Sequence, residues 1–198
     1  MARSQLLVAL AALIAASGCG QDLPVDIFID RFEGEELGVV SGGIAEWNAV
    51  GKTYLGIDEM LNVVGRTDSH GGFRLKDLQD DRHVVYRDWA DQDEKDIVDD
   101  YRGYETNGYG TLSDVVLGVR AFYPRDKAGK VNGPLHRDLF RRHVLHEVGH
   151  FLGLLHSESG KTIMFSSSLD GEADWSVTHL TRRDIIQFCT IYDCNGQP

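Results

Sequence analysis

Residues 146–156 read HEVGHFLGLLH and hold three of the eight histidines in the 198-residue chain, with one glutamate and two glycines. The stretch from Asp138 to Leu152 has helical periodicity, with Pro134 before it and Gly153 after it. Positions four apart share a helix face, so His146 and His150 point the same way. Two imidazoles one turn apart can share a Zn²⁺ ion at about 2.0–2.1 Å. Glu147 stands beside the first of them, where it reaches a metal-bound water without itself binding the metal. Gly153 permits the left-handed turn that ends a helix, so the chain doubles back and His156 becomes a third ligand. Three protein ligands leave a fourth position for water, which marks a catalytic rather than a structural site. A single buried histidine is usually a packed core residue. That reading does not account for three at this spacing with Glu and Gly in register.

Upstream, LPVDIFID (23–30) alternates and is rich in β-formers, as a strand does. Leu37, Val40, Ile44 and Trp47 recur at helical spacing and predict a helix over Glu36–Val50, weakened by Gly42 and Gly43. TYLGI, LNVV and HVVYRD, within 53–64 and 83–88, are strand-like, with the turn signal DSHGGF between them. VVLGVRAFYP (115–124) is strand-like again and stops at Pro124. LTRRDIIQFCTIY (180–192) predicts a last helix with Thr181 as its N-cap. Strands come early and a helix late, so the class is α+β, with one helix behind the sheet and one carrying the histidines.

The length suits one domain, and 42% hydrophobic residues suffice for a core. A net charge of −11 argues against a nucleic-acid partner, which needs a basic face. The first residues, MARSQLLVALAALIAASGCG, carry one charge and an apolar run from Leu6 to Ala16, too short to span a bilayer but suited to a signal peptide. ASGC, ending at Cys19, resembles the lipobox of bacterial lipoproteins, although Ala16 stands where that motif usually has leucine. The expected organisation is a signal peptide over 1–18, a short lipidated tether over 19–22 and a catalytic domain over 23–194. The resemblance implies acylation of Cys19 and a lipid-anchored protein of the bacterial cell envelope. The alternative is a plain secretory signal and a secreted protein. With Cys19 acylated, Cys189 and Cys194 remain as an even pair, and an oxidising compartment favours a disulfide between them.

The pattern HExxHxxGxxH resembles the metzincin clan of zinc endopeptidases. That resemblance implies a zincin fold: a twisted mixed sheet with a backing helix and an active-site helix, then a small C-terminal subdomain with a methionine turn and a last helix. Met164, in HSESGKTIMF, matches the methionine of that turn. Ser157 after the third histidine is similar to the matrixin (matrix metalloproteinase) branch. So are VRAFYP followed by a loop and RDLFRRHVLHEVGH, and the terminal LTRRDIIQFCTIY. By the same resemblance, Asp184 hydrogen-bonds the methionine turn from below. An extended peptide substrate is expected along an edge strand made by Val116, Leu117, Gly118, Val119, Arg120 and Ala121.

Several positions depart from that family. Arg120 stands where matrixins have a histidine that helps bind a structural zinc, so one catalytic zinc is expected. No early cysteine besides Cys19 is present to cap the metal. FSSSLDGEADW replaces the family's tyrosine-containing segment after the methionine, and Ser166 stands where astacins and serralysins have a tyrosine. His143 is read as a packed or bridging histidine. The acidic run from Asp91 to Asp100 is read as a solvated surface, with a Ca²⁺ site as its alternative.

The expectation is a monomeric zinc-dependent endopeptidase. Glu147 is its general base toward a zinc-bound water, and His146, His150 and His156 are its ligands. Two other readings stand beside it: a catalytically weak zincin scaffold that binds a partner, and a metal-dependent hydrolase of non-peptide amides.

Overall fold

Val25, Ile27 and Ile29 alternate with Asp26 and Phe28, and this period of two forms strand β1 (Val25–Ile29), whose three aliphatic side chains are buried. The computed structural model describes residues 20–67, 72–74, 82–89, 95, 108–111, 113–166, 174–196 and 198. The signal peptide, Cys19 and nearly all of the acidic run 91–100 lie outside the described residues.

Helix α1 (Gly34–Leu55) follows, then β2 (Leu61–Arg66), β3 (Val84–Tyr86), β4 (Gly108–Gly110) and β5 (Val115–Leu117). A 3₁₀ turn (Val119–Phe122) leads on to α2 (Arg137–Phe151), and α3 (Arg182–Tyr192) closes the order. The sheet order is β2-β1-β3-β5-β4, parallel throughout except for β4, which runs antiparallel to β5. Among the described residues the fold is thus mixed α/β, with a largely parallel sheet and the three helices α1–α3.

One buried cluster joins the β1 aliphatics to Val40, Ile44 and Trp47 of α1 and to Val144, Val148 and Phe151 of α2. Each such side chain contributes about 1.5–3 kcal/mol when fully buried. The Trp47 indole N–H donates to the Leu145 carbonyl at 3.1 Å and ties α1 to α2. A side chain at Gly43 would meet Val144 at 2.6 Å, so the glycine that weakens α1 locally is also what lets α2 approach it. Phe73 stacks edge-on against both Tyr86 and Trp89. Glu36 at the start of α1 takes a two-pronged bond from Arg87, both contacts 2.7 Å, and Tyr123 donates to the same carboxylate at 3.0 Å.

The structure corrects two sequence expectations. Thr53–Leu55 of TYLGI extend α1 rather than forming a strand, and Gly56 caps the helix at φ 74°. The β-propensity of Thr53 and Tyr54 yields to a helix whose inner face is already packed. Second, VVLGVRAFYP is a strand only over Val115–Leu117. Val119, Arg120 and Ala121 lie in the 3₁₀ turn and Gly118 caps it. Val116 and Leu117 pair with β4, and Val116 also with β3, so this strand is interior and does not offer the edge expected for a substrate. Gly20 and Gln21, within the expected tether, have partners in the fold. The Gln21 N–H donates to the Tyr192 hydroxyl at 2.8 Å, and its side-chain amide donates to the Phe151 carbonyl at 3.2 Å.

Candidate metal centre

His146 and His150 sit one turn apart on α2, and His156 follows the reversal at Gly153, whose φ is 86°. The Gly153 N–H donates to the His150 carbonyl and the Leu154 N–H to the Gly149 carbonyl, both at 2.9 Å, which closes the helix end. The three Nε2 atoms lie 3.1 Å (146–150), 3.3 Å (146–156) and 3.0 Å (150–156) apart.

Their partners decide what these short distances mean. His146 Nδ1 lies 2.8 Å from the Ile163 carbonyl, and His150 Nδ1 lies 2.8 Å from the Leu154 carbonyl. A carbonyl only accepts, so each Nδ1 carries the proton and each Nε2 presents a lone pair. Lone pairs facing one another at this range repel unless a cation lies between them. Tetrahedral zinc with Zn–N bonds of about 2.0–2.1 Å places ligand nitrogens about 3.3–3.4 Å apart. The observed triangle fits that geometry to within a few tenths of an ångström. Among the described residues, His146, His150 and His156 are the group arranged to hold a metal, with His156 exposed and the other two half-buried. Burial, and next the neighbouring His150, push the His146 pKa well below the ordinary histidine value, which keeps its lone pair available.

Glu147 is buried at 5% exposure on the same helix. Its Oε1 lies 3.7 Å from His143 Nδ1, and the His143 ring packs on Phe122 at 4.9 Å between centroids. His143 is therefore not part of the Nε2 triangle. Edge strand β4 passes directly over this stretch of α2. A Cβ on Gly110 would overlap the Glu147 carbonyl oxygen and come within 2.9 Å of the His150 Cβ. Only glycine allows that approach.

Met164 is fully buried beneath α2, against Gly149. The Ser157 N–H donates to the Met164 carbonyl at 2.7 Å, so the segment carrying Met164 lies beside the chain leaving His156. The Asp184 carboxylate accepts the N–H groups of Ile163 and Met164, each at 3.1 Å. It also accepts the Thr181 N–H at 2.8 Å, completing a capping box on α3. Ser166 is buried two residues after Met164. Cys189 and Cys194 are joined by a disulfide at the end of α3. Arg120 has an exposed side chain 3.6 Å from Asp88.

The sequence gives no sign of Arg142. Its buried guanidinium donates to the Thr162 carbonyl at 3.0 Å and the Val177 carbonyl at 3.1 Å, on either side of the segment that contains Met164. Nor does it mark the Ile163 and Leu154 carbonyls, since a backbone acceptor has no residue type to read. Residues 167–173 of the segment FSSSLDGEADW lie outside the described residues.

Residues 76–193, more than half of the chain, match the matrixin family model. No curated protein matches the chain in sequence. Among solved structures, it is similar to an archaemetzincin from Archaeoglobus fulgidus, complexed with malonate. The identity is 17% and the TM-score 0.43, over 81% of this chain and 98% of that one. It is also similar to an archaemetzincin from Methanopyrus kandleri, with 15% identity and a TM-score of 0.44, over 90% of this chain and 97% of that one. The matrixin match spans the whole of α2, the three histidines, Met164 and α3. This chain belongs to the matrixin family of zinc metallopeptidases.

Proposed function

We propose that this chain is an endopeptidase of matrixin type, cutting internal peptide bonds of proteins, with Glu147 as general base. The observation that carries the reading is the convergence of three imidazole Nε2 atoms, 3.0–3.3 Å apart, two of them held with their lone pairs inward, beside one buried carboxylate on the helix that carries His146 and His150. Bound zinc supplies Lewis acidity, which acidifies water and polarises a carbonyl oxygen. Glu147 takes the proton from the attacking water and later delivers it to the leaving amine. The Ile163 and Leu154 carbonyls hold two of the imidazoles in the ligating tautomer. Residues 162–165 serve as the methionine turn, with α3 and Asp184 as the small subdomain that supports it. Strand β4 is the sheet edge next to the site, so an extended peptide adds to β4. Digestion of unbiased peptide libraries tests the reading. Cuts at internal bonds, abolished by a chelator and restored by zinc, are expected. If every peptide survives, the binding-scaffold and non-peptide hydrolase readings take its place.

Cys19 is, in the same proposal, acylated after removal of residues 1–18, which holds the enzyme at the bacterial cell envelope. Thioether-linked and amide-linked chains together anchor stably, whereas one chain does not. The mass of the N-terminal peptide checks this directly. An unmodified N-terminus on a soluble protein would leave a plain secretory signal.

A further inference from the structure

The residue after Cys19 is not loose. A Cβ on Gly20 would come within 2.6 Å of both Ile191 and Tyr192, so the chain there lies flush against α3. Gln21 reaches in the other direction, to the Phe151 carbonyl at the end of α2, one residue from His150. Tyr192 joins the two, accepting from the Gln21 N–H and donating to the Leu152 carbonyl at 3.0 Å. Burial pushes the Tyr192 pKa up to about 12, so this hydroxyl stays a neutral donor.

From Gly20 a chain of contacts leads to the candidate metal centre. Gly20 meets Ile191. Gln187, one turn earlier on the same face of α3, donates to the Leu155 carbonyl at 3.0 Å. Leu155 immediately precedes His156. It is 51% exposed. One residue of chain spans at most about 3.6 Å, so an acyl group on Cys19 would be joined to the chain within that reach of Gly20.

We infer that the enzyme has no tether: docked through Gly20 and Gln21, it sits directly on the lipid bilayer that holds its own acyl chains, with the surface around Gly20 and the end of α3 against the lipid, so that its substrates are polypeptide segments lying close to a membrane surface. The inference rests on acylation of Cys19. A freely tethered enzyme would sample substrates many ångströms above the bilayer, whereas the docked one keeps the metal site beside it. Partner and substrate class follow from one geometry.

The test compares the lipidated full-length protein with a variant carrying twelve Gly/Ser residues inserted between Cys19 and Gly20. Both are reconstituted in phosphatidylethanolamine–phosphatidylglycerol vesicles. A cleavable peptide from the library screen is attached to lipid through a short or a long poly(ethylene glycol) spacer. The wild type should favour the short spacer by about tenfold, and the insertion should remove that preference, because a flexible linker lowers and spreads the effective concentration. Hydrogen exchange gives a readout that does not need activity. Residues 153–157 and 186–192 should exchange more slowly in the vesicle-bound wild type than in the insertion variant. Equal spacer preference or equal exchange in the two proteins overturns the inference while leaving anchoring intact. An N-terminal peptide of unacylated mass, with no vesicle binding, overturns anchoring and the inference together.

Discussion

Asp184 accepts the backbone N–H of Met164 at 3.1 Å, although 20 residues and a change of direction separate them in the chain. The same carboxylate takes the Ile163 N–H, and the Ile163 carbonyl on the far side of that residue receives His146 Nδ1–H. One buried acid at the start of α3 thus braces the carbonyl that orients His146, a candidate metal ligand. Asp184→Ala should destabilise the fold by about 2–4 kcal/mol, because it removes Thr181's capping-box partner and leaves buried N–H groups without acceptors. It should also weaken zinc binding about 10–100-fold, as loss of an outer-shell partner does. Urea unfolding and chelator competition measure the two effects. A variant as stable as wild type that also binds zinc equally well would show that Asp184 supports neither.

Gly153 links the helix to the third ligand by its positive φ of 86°. An alanine there must adopt a left-handed conformation that costs about 1–2 kcal/mol. The strain falls next to the Leu154 carbonyl that orients His150 and three residues before His156. Gly153→Ala should therefore lose stability by that amount and bind zinc about tenfold more weakly. Isothermal titration with zinc gives the second value. An unchanged dissociation constant would mean that the reversal tolerates a side chain.

How much of this was legible depended on how local the information is. His146, Glu147, His150 and the reversal at Gly153 lie within eight residues, and the helical period alone places them. Thr181 is legible for the same reason, as the cap of the last helix, whereas Asp184 is marked only by the family resemblance. Sheet order is not local. LNVV and VVLGVRAFYP look alike in sequence. Pairing makes β2 an edge and β5 an interior strand, so 115–117 does not supply the sheet edge its sequence suggests. GYG (108–110) has no strand signature, yet it is the edge beside the site because glycine lets it lie on α2. Gly20 and Gln21 read as a tether because their partners, Phe151 and Tyr192, are more than 100 residues away. Arg142 escaped because a buried arginine is recognisable only by the carbonyls that surround it.

Acid should weaken both the apo fold and its metal affinity. The His146 pKa is lowered in the folded state, first by burial, from an ordinary 6.5. The unfolded chain therefore binds that proton more tightly than the folded chain does. The sign follows: this contribution is complete above about pH 6.5 and is lost as the pH falls toward the folded value. Protons also compete with zinc for the same Nε2 lone pair. Unfolding of the metal-free protein in urea should show a midpoint that drops between about pH 7 and pH 5, less so in His146→Gln. A midpoint that rises on acidification contradicts the assignment.

Glu147 separates a peptidase from a scaffold. Glu147→Ala removes the carboxylate and none of the three imidazoles. Helix α2 should persist, since alanine is the best helix former. The contact of β4 with the Glu147 carbonyl oxygen is made by backbone and survives the substitution. Zinc should remain at one equivalent by elemental analysis, because the Ile163 and Leu154 carbonyls still orient His146 and His150. Peptide cleavage should fall by about 10²–10⁴-fold or more, the range for losing a positioned acid–base group. Glu147→Gln keeps the volume of the buried side chain and should be equally silent, which separates loss of the base from loss of packing. Cleavage retained in the glutamine variant would identify another group as the base. If the wild type is as silent as both variants on every peptide in the library, the three histidines hold zinc for binding or for a non-peptide amide, not for proteolysis.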